Sequence, residues 1–218
     1  MAILRGDRIV LPRRRGSQEL RRRIIKRFFI GVVSLLLLMS LVGDGAARAA
    51  EALGSSPVAS EYQVKAAFLY NFAKFIEWPD EAFTGAGAPI VFGIIGEDPF
   101  GRLLDQAVKG KSIRGREFVV KRLRGSQDAG ICHILFISAS EKKHVSQILE
   151  RLKGAPVVTV SELDHFAQAG GIINFFVEEN KVRFEINIDA AERAKLKISS
   201  KLLALSKVVR DTPSSGKH

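Results

Sequence analysis

Residues Pro89–Gly96, PIVFGIIG, form an uncharged run of eight, rich in β-branched side chains. The small-residue stretch 84–88 (TGAGA) precedes it and Asp98-Pro99 follows it. A short apolar run bounded by turn signals is the pattern of a strand buried on both faces. Ile131–Ser138 (ICHILFIS) is a second run of the same kind, and Glu117–Leu123 (EFVVKRL) and Val157–Val160 read as further strands. Helical patterns alternate with them. Asp98 is a good N-cap and Pro99 a good first helical residue, predicting a helix over Pro99–Val108. Ser140–Leu152 places Val145, Ile148, Leu149 and Leu152 on one face, and Ser161 opens a short helix to Gln168. Strands and helices in alternation predict an α/β fold, a mainly parallel sheet flanked by helices.

Upstream, Glu61–Trp78 has Val64, Phe68, Phe72, Phe75 and Ile76 at helical spacing. That helix is expected to stop at Trp78-Pro79, because proline disfavours helical geometry in the residue before it. Downstream, Ile172–Val177 and Lys181–Ile188 flank Glu178-Glu179-Asn180 and predict a C-terminal antiparallel hairpin. In its second strand Val182, Phe184, Ile186 and Ile188 share one face; Lys181, Arg183, Glu185 and Asn187 share the other, which reads as wet. A final helix is expected over Ile198–Val209, and a disordered tail over 211–218.

The chain has 218 residues and a formal charge of +11, unevenly placed. Residues 1–49 hold 11 basic and three acidic side chains, whereas 50–218 hold 23 basic and 20 acidic. The excess therefore sits outside the expected domain, and nucleic-acid binding is not indicated. The basic block Arg21–Arg27 leads into Phe28–Val42, fifteen residues without a charge, and then into Ala47-Arg48-Ala49. Basic, apolar and small-residue regions in that order predict a cleavable secretory signal peptide over 1–49, cut after Ala49. The apolar stretch is short of the roughly 20 residues a spanning helix needs. The expected product is a soluble periplasmic protein with a flexible lead over 50–60 and one domain over 61–210.

Catalytic and metal chemistry find little footing. Cys132 is the only cysteine, which excludes an intramolecular disulfide and a Cys-based zinc site. His133 falls in a buried strand, His144 and His165 on helices, and His218 at the end, with no ligand spacing among them. Gly93-Ile-Ile-Gly96…Gly101 lacks the lysine and hydroxyl of a phosphate loop. Ser138 and Ser140 end a strand with no evident base nearby. Arg183 and Glu185 share a strand face, which reads as an exposed ion pair, and Gly170-Gly171 as a turn needing positive φ. What stands out is Phe75, Trp78 and Phe83, large aromatics around a helix end, which pack a core or anchor a partner.

Five blocks carry a resemblance: Val64–Pro79 (VKAAFLYNFAKFIEWP), GIIGEDPFG, Cys132–Ser138, Gly170–Asn174 and Val182–Asn187 (VRFEIN). In content and order they resemble the YfiR-like family of periplasmic proteins, over about residues 61–210. The resemblance implies a non-enzymatic regulator without a cofactor, forming a homodimer. It further implies binding to the periplasmic sensor region of an inner-membrane diguanylate cyclase, whose inhibition lowers cyclic di-GMP and restrains biofilm formation. Phe75, Trp78, Phe83, Arg183 and Glu185 are the expected partner contacts. The founding regulator looks disulfide-stapled, and Cys132 falls where one of its cysteines should, yet the expected partner strand, Val91-Phe92-Gly93-Ile94, has no thiol. The alternative is a small-molecule-binding module serving an envelope transporter or sensor, with a cavity at the carboxyl ends of the strands near Gly96–Phe100 and Ser138–Ser140.

Overall fold

The computed structural model describes residues 57–211; the expected signal peptide, residues 50–56 of the lead and residues 212–218 lie outside them. The elements are α1 (Pro57–Phe75), β1 (Ile76–Glu77), β2 (Ile90–Ile95), α2 (Leu103–Val108), β3 (Ser112–Ile113), β4 (Arg116–Leu123), β5 (Ile134–Ile137), α3 (Val145–Arg151), β6 (Val158–Ser161), β7 (Ile173–Glu178), β8 (Lys181–Asn187), α4 (Ile188–Arg193), β9 (Lys197–Ile198), α5 (Ser200–Leu203) and β10 (Lys207–Val209). Eight strands form one sheet in the order β10-β8-β7-β6-β5-β2-β4-β3, and β1 pairs with β9 apart from it. Five neighbouring pairs are parallel, while β7–β8 and β3–β4 are antiparallel. The expected α/β class and the C-terminal hairpin are both present.

The opening run explains the layering. All six residues of β2 are buried, and successive side chains alternate between faces. Phe92 and Ile94 join one cluster with Leu69, Phe72, Phe136, Phe175 and Phe184, beneath α1 and α2. Val91 and Ile95 join another with Leu135, Ile137 and Ile148, beneath α3. Two apolar faces on one strand require two covering layers, which is why an unalternating run means a central strand.

Three expectations about helices are corrected. First, α1 begins at Pro57, inside the expected lead, where proline's fixed φ suits a first helical turn. It ends at Phe75, because Ile76–Glu77 straightens to pair with Lys197–Ile198. Its buried residues are Lys65, Ala66, Leu69, Phe72 and Ala73, whereas Val64 is 42% exposed. The small Ala66 and Ala73 bring the helix close to the sheet, and an ion-paired lysine takes a place that apolar periodicity assigns to neither face. Second, Ile198–Val209 is not one helix. A single turn capped by the Ser199 hydroxyl gives way to β10, which pairs in parallel with β8 through Lys207–Val209; pairing the backbone of an open sheet edge wins over a weak apolar stripe. Third, Ser161–Gln168 is a series of turns, because the Ser161 hydroxyl donates to the Ile137 carbonyl (2.7 Å) and accepts from Leu163 N–H (3.3 Å), tying the chain to β5. The other two helices are shorter than expected, and turns precede each. Asp98 caps the turn before α2 by accepting from the Phe100 and Gly101 amides (2.8 and 3.2 Å).

The wet face of β8 is also corrected. Glu185 and Asn187 are 5% and 0% exposed, and of that face only Lys181 and Arg183 meet solvent. Asn187 Nδ2 donates to the Ala167 carbonyl and to Asp211, both at 2.7 Å. The turns after β6 thus cover half of β8, and Asp211, placed in the expected tail, is held through Arg193 and Asn187.

Candidate functional site: an aromatic cluster at the amino edge of the sheet

Leaving α1, the chain crosses the amino ends of β2 and β5, and the single tryptophan lies there. Trp78 Nε1 donates to the His133 carbonyl at 3.2 Å, an oxygen that also accepts from Val158 N–H at 2.9 Å. His133 N–H donates to the Val91 carbonyl, and Val91 N–H donates to His133 Nδ1 at 3.0 Å. With Nδ1 accepting, the ring proton is assigned to Nε2, a buried atom without a hydrogen-bond partner among the described residues. Phe83 stacks on the imidazole, with centroids 4.4 Å apart, and Trp78 meets it edge-on at 5.9 Å. The Arg116 guanidinium lies 3.8 Å from the Phe83 centroid. Its Nη1 donates to the carbonyls of Gly85 and Ala88 (2.9 and 2.8 Å), pinning the small-residue loop.

These contacts set the charge state of the histidine. Burial is the main cause holding its pKa below the ordinary value, and the Arg116 charge adds to it. The Ala82 carbonyl works in the opposite direction, although it makes no hydrogen bond to Nε2. His133 is a neutral wedge between strand and aromatic rim. In front of it, Trp78, Asp80, Phe83, Arg114 and Arg116 border a cavity of about 210 Å³ floored by Ala73, Ile76 and Ile90.

The five expected partner contacts do not form one surface. Trp78 and Phe83 come together. Phe75 is a neighbour that lines a separate groove with Lys197–Lys201, and Arg114 borders both. Arg183 and Glu185 lie on β8, three strands from β5. The registers Ser161↔Asn174↔Glu185 and Phe176↔Arg183 put Glu185 level with the carboxyl end of β6 and Arg183 beyond it, opposite to Trp78. Nor do they pair with each other. Arg183 approaches Glu178 (4.0 Å), while buried Glu185 accepts from Gln168 (3.0 Å) and Asn174 (3.4 Å), with Lys207 at 3.8 Å. Sequence reasoning passed over His133 and Arg116. The signal for His133 was its place at the head of an apolar run, and Arg116 had none, since its partners come from a distant loop.

At the carboxyl edge, where the alternative reading puts a ligand cavity, the chain's own groups meet. The Ser140 hydroxyl accepts from Glu97 N–H (2.9 Å), and Arg122 bridges Asp98 (2.9 Å) and Asp105 (2.6 Å). Lys65, 2% exposed, lies between Glu61 and Glu162, each at 2.5 Å. The Tyr62 hydroxyl donates to Glu162 at 2.8 Å. Burial, and then Glu162, push that phenol's pKa well up. Among the described residues no group of three or more His, Cys, Asp or Glu side chains is placed to hold a metal ion. Cys132 is buried, and desolvation pushes its thiol up to about 11.

Residues 62–207 match the family described as YfiR/HmsC-like (DUF4154), two thirds of the chain. The chain belongs to the YfiR/HmsC-like family. The family is one of periplasmic regulatory proteins, and no helix among the described residues is long and apolar enough to cross a membrane. Two solved structures are distantly similar. A conserved domain protein from Vibrio cholerae shares 12% identity at a TM-score of 0.45, over 70% of this chain and 60% of that one. The ABC domain in complex with L-Trp from Streptococcus pneumonia shares 7% at 0.43, with the same coverage. The chain thus spans about 60% of the length of either structure.

Proposed function

We propose that this YfiR/HmsC-like protein is a periplasmic, non-enzymatic repressor. It binds the periplasmic sensor region of an inner-membrane diguanylate cyclase, holds the enzyme inactive and so lowers cyclic di-GMP. Its contact surface is the aromatic rim of Trp78 and Phe83 with the flanking charges Asp80 and Arg114. Family membership over 62–207 supports the regulatory role. The placement rests on one observation: Trp78 and Phe83 are ordered by His133 and Arg116 yet only half buried, beside a shallow cavity. Tryptophan, tyrosine and arginine dominate binding hot spots, and a rim already ordered before binding loses little side-chain entropy.

The test is genetic. Deleting the gene should raise cyclic di-GMP, and the natural protein should restore it. Arg114→Glu alters an exposed side chain whose one ion pair among the described residues is with exposed Glu77, so the variant should fold normally and fail to restore the level. Full restoration by Arg114→Glu would remove the rim as the contact, and unchanged cyclic di-GMP in the deletion would remove the cyclase reading itself.

A further inference from the structure

We infer that the outer edge of β4 is a docking site for an extended acidic segment of a partner protein, which adds to the sheet as a further strand. β4 is eight residues long. On its inner side Phe118–Leu123 pairs fully with β2, but on its outer side β3 covers only Arg116 and Glu117. The hairpin between them turns at Arg114-Gly115, with φ of 52° and 76°, a two-residue turn of the type that favours positive φ at both positions. Ile113 and Arg116 close it, so the Arg116 N–H and C=O face β3. Backbone groups alternate sides along a strand, so those of Phe118, Val120 and Arg122 face the same way, where β3 has already ended. Among the described residues no strand, loop or side chain takes up these groups. Six residues at about 3.3 Å each present about 20 Å of open edge. A row of unpaired N–H and C=O groups of that length is a template for pairing with another chain.

The edge is furnished for a strand. Beside it a groove of about 390 Å³ is floored by Val108, Phe118 and Val120 and rimmed by Arg102, Lys109 and Lys111, with Asp105 and Glu117 as its two acidic members; Asp105 is already paired with Arg122. On the other face of β4, Val119 is 38% exposed beside exposed Lys121. An added strand would set alternate side chains into the groove and the others toward Val119 and Lys121, the usual way a strand-adding site gains affinity from backbone and specificity from side chains.

Charge selects the occupant. Residues 102–124 hold eight basic and two acidic side chains, whereas the remainder of 50–218 holds fifteen basic and eighteen acidic. Within that stretch Arg122 is paired with Asp98 and Asp105, Arg114 with Glu77, and Arg116 is held by the 85–88 loop, which leaves Arg102, Lys109, Lys111, Lys121 and Arg124 as the positive charge around this edge. A second copy paired edge to edge would set like charges against each other. A phosphate-bearing surface would use the charge but leave the outward N–H and C=O groups unpaired. An acidic extended peptide satisfies both.

The test titrates the purified protein into a fluorescein-labelled peptide, Glu-Val-Glu-Thr-Asp-Val-Glu-Val, by fluorescence anisotropy. Saturable binding is expected, with slowed amide exchange at Phe118, Val120 and Arg122. Val120→Pro, which removes one outward N–H, should weaken binding at least about tenfold, and so should Lys109→Glu with Lys121→Glu, since rim charges act through the field at the edge. Should Val120→Pro not fold, the same peptide N-methylated at alternate residues carries the comparison and should not bind. The proposal is overturned by absence of saturable binding, or by binding that N-methylation leaves unchanged. It is equally overturned if anionic phosphatidylglycerol vesicles bind through the same lysines and displace the peptide without protecting the Phe118, Val120 and Arg122 amides.

Discussion

The Gly93→Ala substitution tests how the centre of the sheet is packed. Gly93 lies on β2 between β4 and β5, paired with Lys121 and Leu135. A Cβ added there would stand 2.4 Å from Cys132 Sγ, 2.9 Å from Leu135 Cδ1 and 3.3 Å from Cys132 Cβ. Ordinary carbon contacts are about 3.5–4.0 Å, so the sulfur must give way by roughly 1 Å. It has nowhere to go, because Cys132 is 3% and Leu135 0% exposed. Overpacking of this kind costs about 1–3 kcal/mol, and a strand held on both sides lies in the upper part of that range, about 2–3 kcal/mol. In a chain of this size that is a fall in Tm of about 4–12 °C. Cys132→Ala alone leaves a small void costing about 1 kcal/mol, but in the double variant the new methyl occupies the sulfur's place. The pair should therefore be less destabilised than the sum of the singles by about 2 kcal/mol. Urea unfolding followed by the fluorescence of Trp78, the only tryptophan, measures all four proteins. An unchanged midpoint for Gly93→Ala, or additive effects in the double variant, would refute the contact. The same geometry gives the lone cysteine a packing role: Cys132 fills the space that a side chain at position 93 would take.

Other outcomes follow from the two edges of the sheet. Lys65→Met keeps the aliphatic stem but removes the buried cation between Glu61 and Glu162. Breaking a buried pair costs about 3–5 kcal/mol, and with these carboxylates 34% and 18% exposed the expected loss is about 2–3 kcal/mol; an unchanged urea midpoint would show that solvent already screens the pair. His133, with its folded pKa below the ordinary value of about 6.5, makes the native state bind fewer protons than the unfolded one. Stability is then fully present above pH 6.5 and falls as pH drops below it, levelling off under the folded pKa. His133→Asn, which keeps an acceptor for Val91 N–H, should flatten the urea midpoint between pH 7.5 and 5; a slope equal to that of the natural protein would assign the pH dependence to other groups.

What the sequence alone determined was set by local chemistry. PIVFGIIG and the ILFI centre of ICHILFIS read as central strands and are central strands, because a charge-free β-branched run satisfies its backbone and both its faces inside a sheet covered on two sides; Ile131, at the start of the second run, is instead 51% exposed in a turn. The hairpin at Glu178-Glu179-Asn180 was legible because it depends on neighbours within a few residues, and the parallel core because strand and helix patterns alternate along the chain. The tertiary structure decided the rest. Glu185 and Asn187 alternate like solvent-facing residues, yet the turns after β6 and Asp211 cover them, a contact between segments about 20 residues apart. Lys65 is buried because Glu162, 97 residues away, meets it. Ile198–Val209 could not remain a helix once Ile76–Glu77 and β8 offered their backbones for pairing. Trp78 and Phe83 were legible as aromatics beside a loop, but only the fold set His133 and Arg116 against them, and only the fold separated them from Arg183 and Glu185. Periodicity reports which face of an element is apolar; what covers that face, and which edge is left open, is decided by pairings between distant parts of the chain.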